Sequence, residues 1–263
     1  MDYVKPAELI EEAIQAGEKK AGLSVHDMLV KGFLCGVLLS YATSLAWLIV
    51  SQGLPSIVGA IVFPVGFVML VLLGFEMATG NFCLLPLSLA AGRIRLSGLL
   101  RNWGWVYLGN FIGGVFYAFL FFLVVTKFGT SDGGGIAAQA RLVGQNKTLA
   151  YMAIGPRGWG AALVSGILCN WMVTVGTLLS FVSRSTIGKM AAMWLPIMTF
   201  FALGYEHCIV NMFAIPAAML FGAPVSGAEW ALWNQIPVTV GNIIGGTVFT
   251  ALPLYSIYKP RRS

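Results

Sequence analysis

Four long stretches without a charged side chain restrict the folds open to this chain more than any other feature. They cover residues 32–75, 102–126, 158–183 and 230–258. A helix of about 20 apolar residues is long enough to cross the hydrocarbon core of a bilayer. Charged residues make up 10% of the whole chain, whereas a soluble domain carries about 25%. The sequence therefore predicts an all-α polytopic integral membrane protein without a separate soluble catalytic domain.

Six transmembrane helices are expected, all within one membrane domain. Their predicted bounds are 29–50, 57–91, 99–125, 159–183, 189–221 and 230–257. The second and fifth segments are longer than one crossing requires, and both contain glycine and proline, which interrupt helices. We therefore expect the second and fifth transmembrane helices to be broken.

An internal repeat relates the two long segments. The stretch "GFEMATGNFCLLP" (74–86) matches "GYEHCIVNMFAIP" (204–216) in one constant register, which pairs Gly74 with Gly204. Similarly, "VYLGNFIGG" (106–114) resembles "VTVGNIIGG" (238–246). Because three crossings are an odd number, two copies of a three-helix unit must lie in opposite orientations. The sequence thus predicts two inverted three-helix repeats, an architecture that places the substrate site near the midplane between broken helices.

The distribution of lysine and arginine predicts that both termini are cytoplasmic. If the termini share one side, that side holds twelve of the sixteen basic residues and the other side holds four. The positive-inside rule assigns the richer side to the cytoplasm. The expected division is a cytoplasmic N-terminal segment 1–27, a first repeat 28–125, an external loop 126–158, a second repeat 159–258 and a cytoplasmic tail 259–263.

Residues 6–21, "PAELIEEAIQAGEKKA", carry apolar side chains at helical spacing with Glu and Lys between them. This pattern is typical of an amphipathic helix. Two positions stay open for it: a pH-sensitive lid over the cytoplasmic face, or a helix packed on the membrane face of the pore.

Composition also bears on partners and ligands. The net charge of +6 is spread along the chain, so it does not indicate a nucleic-acid partner. The four cysteines lie in apolar segments without the paired spacing of a metal site. We therefore expect no metal and no cofactor.

Ionisable residues inside the predicted membrane segments are costly and point to function by default. Glu206 and His207 stand side by side in the second repeat, whereas Glu76 stands without a histidine in the first. Because the glutamate is shared, we assign it to support of the broken helices. The unshared His207 is assigned to the substrate, with a purely structural histidine as the alternative. The amides expected to support the broken helices are Asn81, Asn211, Asn110 and Asn242.

Three motifs in order, "GFEMATGN", "NWGWVYLGNFIGG" and "GYEHCIVNMF", resemble the signatures of the formate/nitrite transporter family. The resemblance covers nearly the whole chain. It implies an aquaporin-like fold and a homopentamer with one pore in each protomer, in a prokaryotic inner or plasma membrane. It also implies conduction of a small monovalent anion: formate first, with nitrite, hydrosulfide, acetate or lactate as alternatives.

The same resemblance implies a pathway through each protomer. Thr79 should face His207, with one apolar constriction on each side of the pair. Phe63 and Phe200 would form one constriction, and Phe67 and Ala78 the other. Asn170 belongs to the implied pathway, although an amide in apolar surroundings also bonds backbone readily.

Two positions depart from the family pattern. Ala78 stands where members often carry a bulky aromatic residue. Ile154 stands where many members carry a lysine, and the nearest basic residues are Arg157 and Lys147. The sequence therefore does not identify which basic residue would attract an anion at the pore entrance.

A bare anion crosses an apolar constriction at far greater cost than a neutral molecule. A small weak acid avoids this cost by crossing in its protonated form. His207 is the residue at the expected midplane whose ring ordinarily titrates near neutrality, and the Thr79 hydroxyl can donate a hydrogen bond to a substrate oxygen. The sequence therefore predicts transport of an anion linked to a proton.

The sequence disfavours two other classes of membrane protein. A pore for a neutral solute is disfavoured because the chain lacks an Asn-Pro-Ala pair and has one intramembrane histidine rather than two. A membrane-embedded enzyme that uses Glu206 and His207 is disfavoured because no second histidine, aspartate pair or placed nucleophile accompanies them. We therefore expect the chain not to be an enzyme.

Overall fold

The computed structural model describes residues 2–258, and helices dominate this part of the chain. The predicted tail 259–263 lies outside the described residues. The helices are α1 (Pro6–Ala21), α2 (Val25–Ser51), α3 (Ser56–Val62), α4 (Pro64–Leu72), α5 (Ala78–Ala90), α6 (Leu96–Val125), α7 (Gly134–Ala153), α8 (Pro156–Leu179), α9 (Thr186–Ala202), α10 (Cys208–Leu220), α11 (Gly227–Trp230), α12 (Ile236–Gly246) and α13 (Leu252–Tyr258).

Within residues 2–258, four helical stretches are long and apolar enough to cross a membrane. They are α2, α6, α8 and the stretch Gly227–Tyr258. This last stretch joins α11, α12 and α13 through two π-helical turns, Ala231–Gln235 and Thr247–Ala251. The shorter apolar segments are Ser56–Leu72, Ala78–Ala90, Thr186–Ala202 and Cys208–Leu220. The prediction of an all-helical chain with several apolar helices is confirmed.

Glycines bring the long helices into backbone contact in two pairs. A side chain at Gly113 of α6 would collide with the Phe33 carbonyl of α2. In the same way, a side chain at Gly241 of α12 would collide with the Leu163 carbonyl of α8. Small residues permit this close approach. Close packing matters in a bilayer because lipid tails are as apolar as the helices, so the hydrophobic effect does not drive helices together.

Non-helical backbone separates α4 from α5 and α9 from α10. Residues 73–77 connect the first pair and residues 203–207 connect the second. Gly74 and Gly204 have φ of +68° and +70°, a conformation that glycine adopts without steric penalty. Both connections direct a following helix inward, since α5 and α10 are almost entirely buried.

The stretch 126–158, which was expected as a loop, is mostly helical. Helix α7 occupies twenty of its residues. Its buried residues are small and recur at helical spacing: Ala137, Ala140, Gly144 and Thr148. Small residues give a weak hydrophobic signal, so the sequence pattern does not predict this helix.

Helix α1 packs on α5. Its residues Ile10, Ala13 and Ile14 are buried, and the Ser88 hydroxyl of α5 donates a hydrogen bond of 2.6 Å to the Ile14 carbonyl. Gly17 lies so close to α5 that a side chain there would collide with the Leu84 carbonyl. The apolar face that the sequence predicts for this helix is therefore the face that contacts α5.

Candidate functional site

A threonine and a histidine meet at the centre of the molecule. The Thr79 Oγ1 lies 2.9 Å from the His207 Nε2, and their exposed fractions are 0% and 2%. His207 is also the N-cap of α10, because its Nδ1 accepts a hydrogen bond of 3.2 Å from the Val210 N–H. An acceptor nitrogen carries no proton, so this bonding assigns the proton of the neutral ring to Nε2. That proton is directed at the Thr79 hydroxyl.

Glu76 is a buried carboxylate that is held by one lysine and one amide. Lys20 of α1 donates from Nζ to Oε1 at 2.6 Å, and Asn81 donates from Nδ2 to Oε2 at 2.8 Å. Asn102 completes the group, because it accepts from Asn81 at 2.8 Å and donates to the Lys20 carbonyl at 2.9 Å. Burial of a charge is tolerated when it is paired and hydrogen-bonded in this way.

Glu206 has a matching set of partners. Lys147 of α7 donates from Nζ to Oε2 at 2.9 Å, and Asn211 donates to the same oxygen at 2.7 Å. Asn234 accepts from Asn211 at 2.8 Å and donates to the Lys147 carbonyl at 2.8 Å. The Tyr151 hydroxyl adds a bond of 3.2 Å to Oε1. Each carboxylate is therefore bonded by a lysine and by the asparagine five positions after it, and Asn234 adds a further bond of 3.2 Å to Glu206.

Two further asparagines hold the backbone where α5 and α10 begin. The Asn110 Oδ1 accepts from the Ala78 N–H at 3.0 Å, and its Nδ2 donates to the Glu76 carbonyl at 2.8 Å. The Asn242 Oδ1 accepts from the Cys208 N–H at 2.9 Å, and its Nδ2 donates to the Glu206 carbonyl at 3.0 Å. Each amide thus satisfies backbone groups that the non-helical connections leave free.

Asn170 links the two halves of the site. Its Nδ2 donates to the Thr79 carbonyl at 3.1 Å and to the Asn242 carbonyl at 2.6 Å. The amide is fully buried, and its Oδ1 has no hydrogen-bond partner among the described residues. Asn170 therefore positions the first turn of α5, and with it Thr79.

One cavity is lined by His207, and a second cavity is lined by chain neighbours of Thr79. The α7-side cavity has a volume of about 380 Å³, and its lining includes His207, Glu206 and Lys147. The α1-side cavity has a volume of about 260 Å³, and its lining includes Met77 and Gly80, which flank Thr79 closely in the chain. Thr79 itself lines neither cavity. The Thr79–His207 bond therefore lies between them.

The four residues expected at the constrictions fall into two groups. Phe200 lines the α7-side cavity and stacks on the His207 ring, with a centroid distance of 5.6 Å. Phe63 packs behind it, 5.7 Å from the Phe200 ring. Phe67 and Ala78 are 2% and 0% exposed and line neither cavity. The structure thus brings Phe200 to a cavity wall and leaves the other three side chains in the packed core.

Sequence reasoning missed Leu70 as one of the apolar residues that line the α1-side cavity. In the register that pairs Glu76 with Glu206, Leu70 corresponds to Phe200 and Met77 corresponds to His207. Both Leu70 and Met77 line the α1-side cavity. The repeat register would have identified them if it had been applied to the constrictions as well as to the glutamates.

Of the two basic residues nearest to Ile154 in the chain, Lys147 lines the α7-side cavity. Ile154 is 57% exposed and lies beyond the end of α7. Lys147, one of the two nearest basic residues, lies on the cavity side of α7 and bonds Glu206. Lys20 was not assigned to the site from the sequence, yet it lines the α1-side cavity.

Comparison with known proteins gives a consistent family. The sequence model described as "Formate/nitrite transporter" matches residues 7–256. The chain is 36% identical to "Uncharacterized transporter YrhG" of Bacillus subtilis (strain 168), over 99% of this chain and 96% of that protein. It is 32% identical to "Formate channel BtFdhC" of Bacillus thuringiensis, over 100% of this chain and 99% of that protein.

Solved structures have the same fold. A "Pentameric formate channel with formate bound" superposes with a TM-score of 0.73 at 26% identity, over 90% of this chain and 98% of that chain. An "FNT family ion channel" superposes with a TM-score of 0.79 at 24% identity, over 96% and 99%. These relatives and structural neighbours are channels and transporters rather than enzymes. The chain belongs to the formate/nitrite transporter family.

Proposed function

We propose that this protein conducts formate across the membrane together with a proton, through one pore in each protomer. The observation that carries the proposal is the buried Thr79–His207 hydrogen bond of 2.9 Å between two cavities. The names of the relatives, "Formate channel BtFdhC" and "Probable formate transporter", favour formate over nitrite or larger carboxylates.

The proposed architecture is two inverted three-helix repeats in the membrane. In this arrangement α3, α4 and α5 form one broken crossing, and α9 and α10 form the other. The matching hydrogen-bond sets of Glu76 and Glu206 support it. So does the lining of the cavities, because the repeat register that pairs these glutamates also pairs Leu70 and Met77 of one wall with Phe200 and His207 of the other.

The first proposed step is attraction of the anion by a lysine at the cavity. Lys147 on one side and Lys20 on the other are about one-fifth exposed, at 20% and 21%. Their buried carboxylate partners hold them in place, and part of each lysine side chain stays open to the cavity that it lines. An anion that enters either cavity therefore meets a fixed positive charge before it meets the apolar walls.

The second step is conversion of formate to formic acid. Phe200 and Leu70 make the walls near the central pair apolar, which disfavours the bare anion. One carboxylate oxygen takes up a proton from water on the entry side, the neutral acid passes, and the acid releases that proton to water on the far side. The His207 Nε2–H and the Thr79 hydroxyl would hold the carboxyl oxygens during passage. Net movement is one formate and one proton.

We further propose a homopentamer in a bacterial plasma membrane with both termini cytoplasmic. The pentameric formate channel among the structural neighbours supports the assembly, and the bacterial relatives support the membrane. The excess of lysine and arginine on one side supports the orientation. Exposed aromatic and aliphatic side chains along α6, among them Phe111, Phe116 and Phe119, would face lipid or a neighbouring protomer.

A flux experiment tests the proposal. Purified protein in proteoliposomes should pass labelled formate faster at acidic than at alkaline external pH. Unlabelled nitrite, hydrosulfide, acetate and lactate are then added as competitors, and formate should be the strongest. Equal flux at pH 5 and pH 8 would contradict proton coupling, and stronger competition by nitrite would reassign the substrate.

A further inference from the structure

The two cavities differ in the charges that line them. The α7-side cavity has one lysine and one carboxylate in its lining, Lys147 and Glu206. The α1-side cavity has two lysines, Lys20 and Lys189, and no carboxylate. Glu76 bonds Lys20 from behind the wall, where it is 3% exposed. One cavity is therefore close to neutral, and the other carries an excess positive charge.

Lys189 is the source of that excess. Among residues 2–258, no carboxylate oxygen lies within ion-pair distance of its ammonium group, whereas Lys20 and Lys147 are both paired with glutamates. Lys189 is partly buried in the first helical turns of α9. An unpaired ammonium that faces a cavity is free to attract an anion from solvent.

The backbone that carries Lys189 is fixed by contacts on several sides. Ser185, the N-cap of α9, accepts hydrogen bonds from the Gly188 N–H at 3.3 Å through its hydroxyl and from the Lys189 N–H at 3.0 Å through its carbonyl. Asp2 in turn accepts from the Ser185 N–H at 2.6 Å. The carboxylate of Asp2 is thus hydrogen-bonded to the 183–185 turn and forms no ion pair with Lys189.

We propose that Lys189 is an anion-recruiting residue that makes the α1-side cavity the higher-affinity entrance for small monovalent anions. The inference rests on the proposed function and adds a difference in anion affinity between the two entrances. An anion approaching Lys189 gains an attraction that has no equivalent at the other entrance, so half-saturation should occur at a lower concentration from the α1 side. The maximal flux, which depends on the central pair, should not change.

A charge-replacement experiment separates this role from a structural one. Lys189→Cys is prepared, and part of it is labelled in detergent with a cationic trimethylammonium-ethyl methanethiosulfonate. Another part is labelled with an anionic sulfonato-ethyl methanethiosulfonate. The four native cysteines are buried, so wild type treated with the same reagents serves as the background control. Formate flux is then measured in proteoliposomes over a range of formate concentrations at low ionic strength.

Loss of the charge in Lys189→Cys should raise the half-saturation concentration roughly threefold, the effect of one charge several ångströms away in a water-filled cavity. The cationic label should restore the wild-type value, and the anionic label should raise it further. Lys19→Cys is the matched control, because Lys19 is exposed on α1 and lines neither cavity. Both labels on Lys19→Cys should leave the half-saturation concentration unchanged.

Three results would overturn the inference. Equal half-saturation with either label would show that charge at this position does not matter. A lower maximal flux at constant half-saturation would assign Lys189 a structural role. Equal effects at Lys19 and Lys189 would indicate general surface charge, including attraction of lipid phosphate. Wild-type protein that passes no formate would instead defeat the proposed function, and the inference with it.

Discussion

The Thr79 hydroxyl and the His207 imidazole lie 2.9 Å apart although 128 positions separate them in the chain. Each stands where an inward-directed helix begins, α5 in one case and α10 in the other. The amides of Asn110 and Asn242 fix these two beginnings by bonding the first backbone N–H of each helix. The geometry of the pair therefore depends on two matching turns rather than on a flexible contact.

Replacement of His207 by asparagine should slow formate flux at every pH between 5 and 8 and preserve the assembly. Asparagine is a favourable N-cap, so it can still accept from the Val210 N–H and retain the start of α10. Its shorter side chain does not place an N–H where the His207 Nε2 meets the Thr79 hydroxyl. Flux in proteoliposomes between pH 5 and pH 8 measures the first effect, and size-exclusion chromatography measures the second.

Dissociation of the His207→Asn oligomer would indicate that the histidine is structural. His207→Ala is the informative comparison, because alanine removes both the titratable ring and the cap. Loss of a cap costs about 1 kcal/mol, so the alanine variant should be less stable than the asparagine variant. Formate flux of His207→Asn equal to that of wild type would remove the ring from the mechanism.

Thr79→Val should slow formate flux, whereas Thr79→Ser should not. Valine has nearly the shape of threonine but lacks the hydroxyl, so His207 Nε2 loses its partner and the substrate loses a donor. One hydrogen bond contributes about 1 kcal/mol, which corresponds to roughly fivefold in rate. Initial rates of labelled formate uptake provide the measurement. Equal rates for the two variants would remove the hydroxyl from the mechanism.

The partners of the buried glutamates mark the limit of what the sequence could predict. The constant register of the repeat made the glutamates and their asparagines visible as pairs, such as Glu76 with Asn81. Their lysines stayed hidden, because Lys20 and Lys147 come from α1 and α7, which lie outside the matched segments. Lys20 is 56 positions from its glutamate and Lys147 is 59 positions from its own. Neither separation produces a local pattern that a sequence could reveal.

In uniformly apolar helices, the sequence could not predict which side chains point to the packed core and which line a cavity. Helix α4 is apolar on all sides, so its periodicity does not distinguish Phe67, in the core, from Leu70, on the cavity wall. Packing against α2 and α9 decides the facing, and that information is not local. Polar residues with a single possible use, such as His207, were easier to assign.

The single variant Lys147→Met should be less stable than the double variant that carries Lys147→Met and Glu206→Gln. In Lys147→Met the carboxylate stays buried at 3% exposure without its cation, and such broken pairs cost about 3–5 kcal/mol. Adding Glu206→Gln removes the unpaired charge and should recover much of this loss. Thermal unfolding in detergent, followed by tryptophan fluorescence, provides the measurement.

The matched control for this pair lies on the surface. Arg93 and Glu11 are 48% and 31% exposed and lie 3.5 Å apart. Exposed ion pairs contribute only about 0–1 kcal/mol. Arg93→Met should therefore shift the unfolding temperature far less than Lys147→Met. Similar shifts for the two variants would show that the Lys147–Glu206 pair is not an important buried contact.

Exchange of the two wall residues should change the size limit of the pore. Phe200→Leu widens the wall of the α7-side cavity, and we expect faster flux of formate and measurable flux of acetate. Leu70→Phe narrows the opposite wall and should slow both anions. Competition and direct flux of labelled formate and acetate provide the measurement. No change in either variant would remove these residues from the pathway.

Phe63→Leu is the comparison for the wall residues. Phe63 is 1% exposed and lines neither cavity, so this variant should lose stability without gaining flux. Burial of the ring explains the expected loss, since removal of core atoms leaves a cavity. Faster flux in Phe63→Leu would instead return Phe63 to the constriction that the family resemblance implied.

The N-terminal attachment, which is the set of hydrogen bonds from residues 183–185 to the Asp2 carboxylate, should be lost at a pH well below neutral. Asp2 accepts from the Ser183 hydroxyl at 2.8 and 2.9 Å and from the backbone N–H groups of Arg184 and Ser185 at 2.6 Å each. Bonding from the Ser183 hydroxyl, followed by that from Ser185, holds the pKa of Asp2 below its ordinary value. A folded-state pKa below the unfolded value gives stability that is fully present above the unfolded pKa of about 3.9. This stability disappears as the pH falls through the folded-state pKa.

Hydrogen exchange of the Arg184 and Ser185 amides tests this expectation directly. In wild type, their protection factors should stay constant from pH 8 to about pH 5 and fall below about pH 4. In Asp2→Asn, protection should be low at every pH, because a neutral amide is a weaker acceptor than a carboxylate. Asp132→Asn, which alters an exposed turn far along the chain, should match wild type. Protection that falls between pH 8 and pH 6 would place the titrating group elsewhere. The acidic range expected for Asp2 means that this attachment remains intact between pH 5 and pH 8, the range over which formate flux is measured.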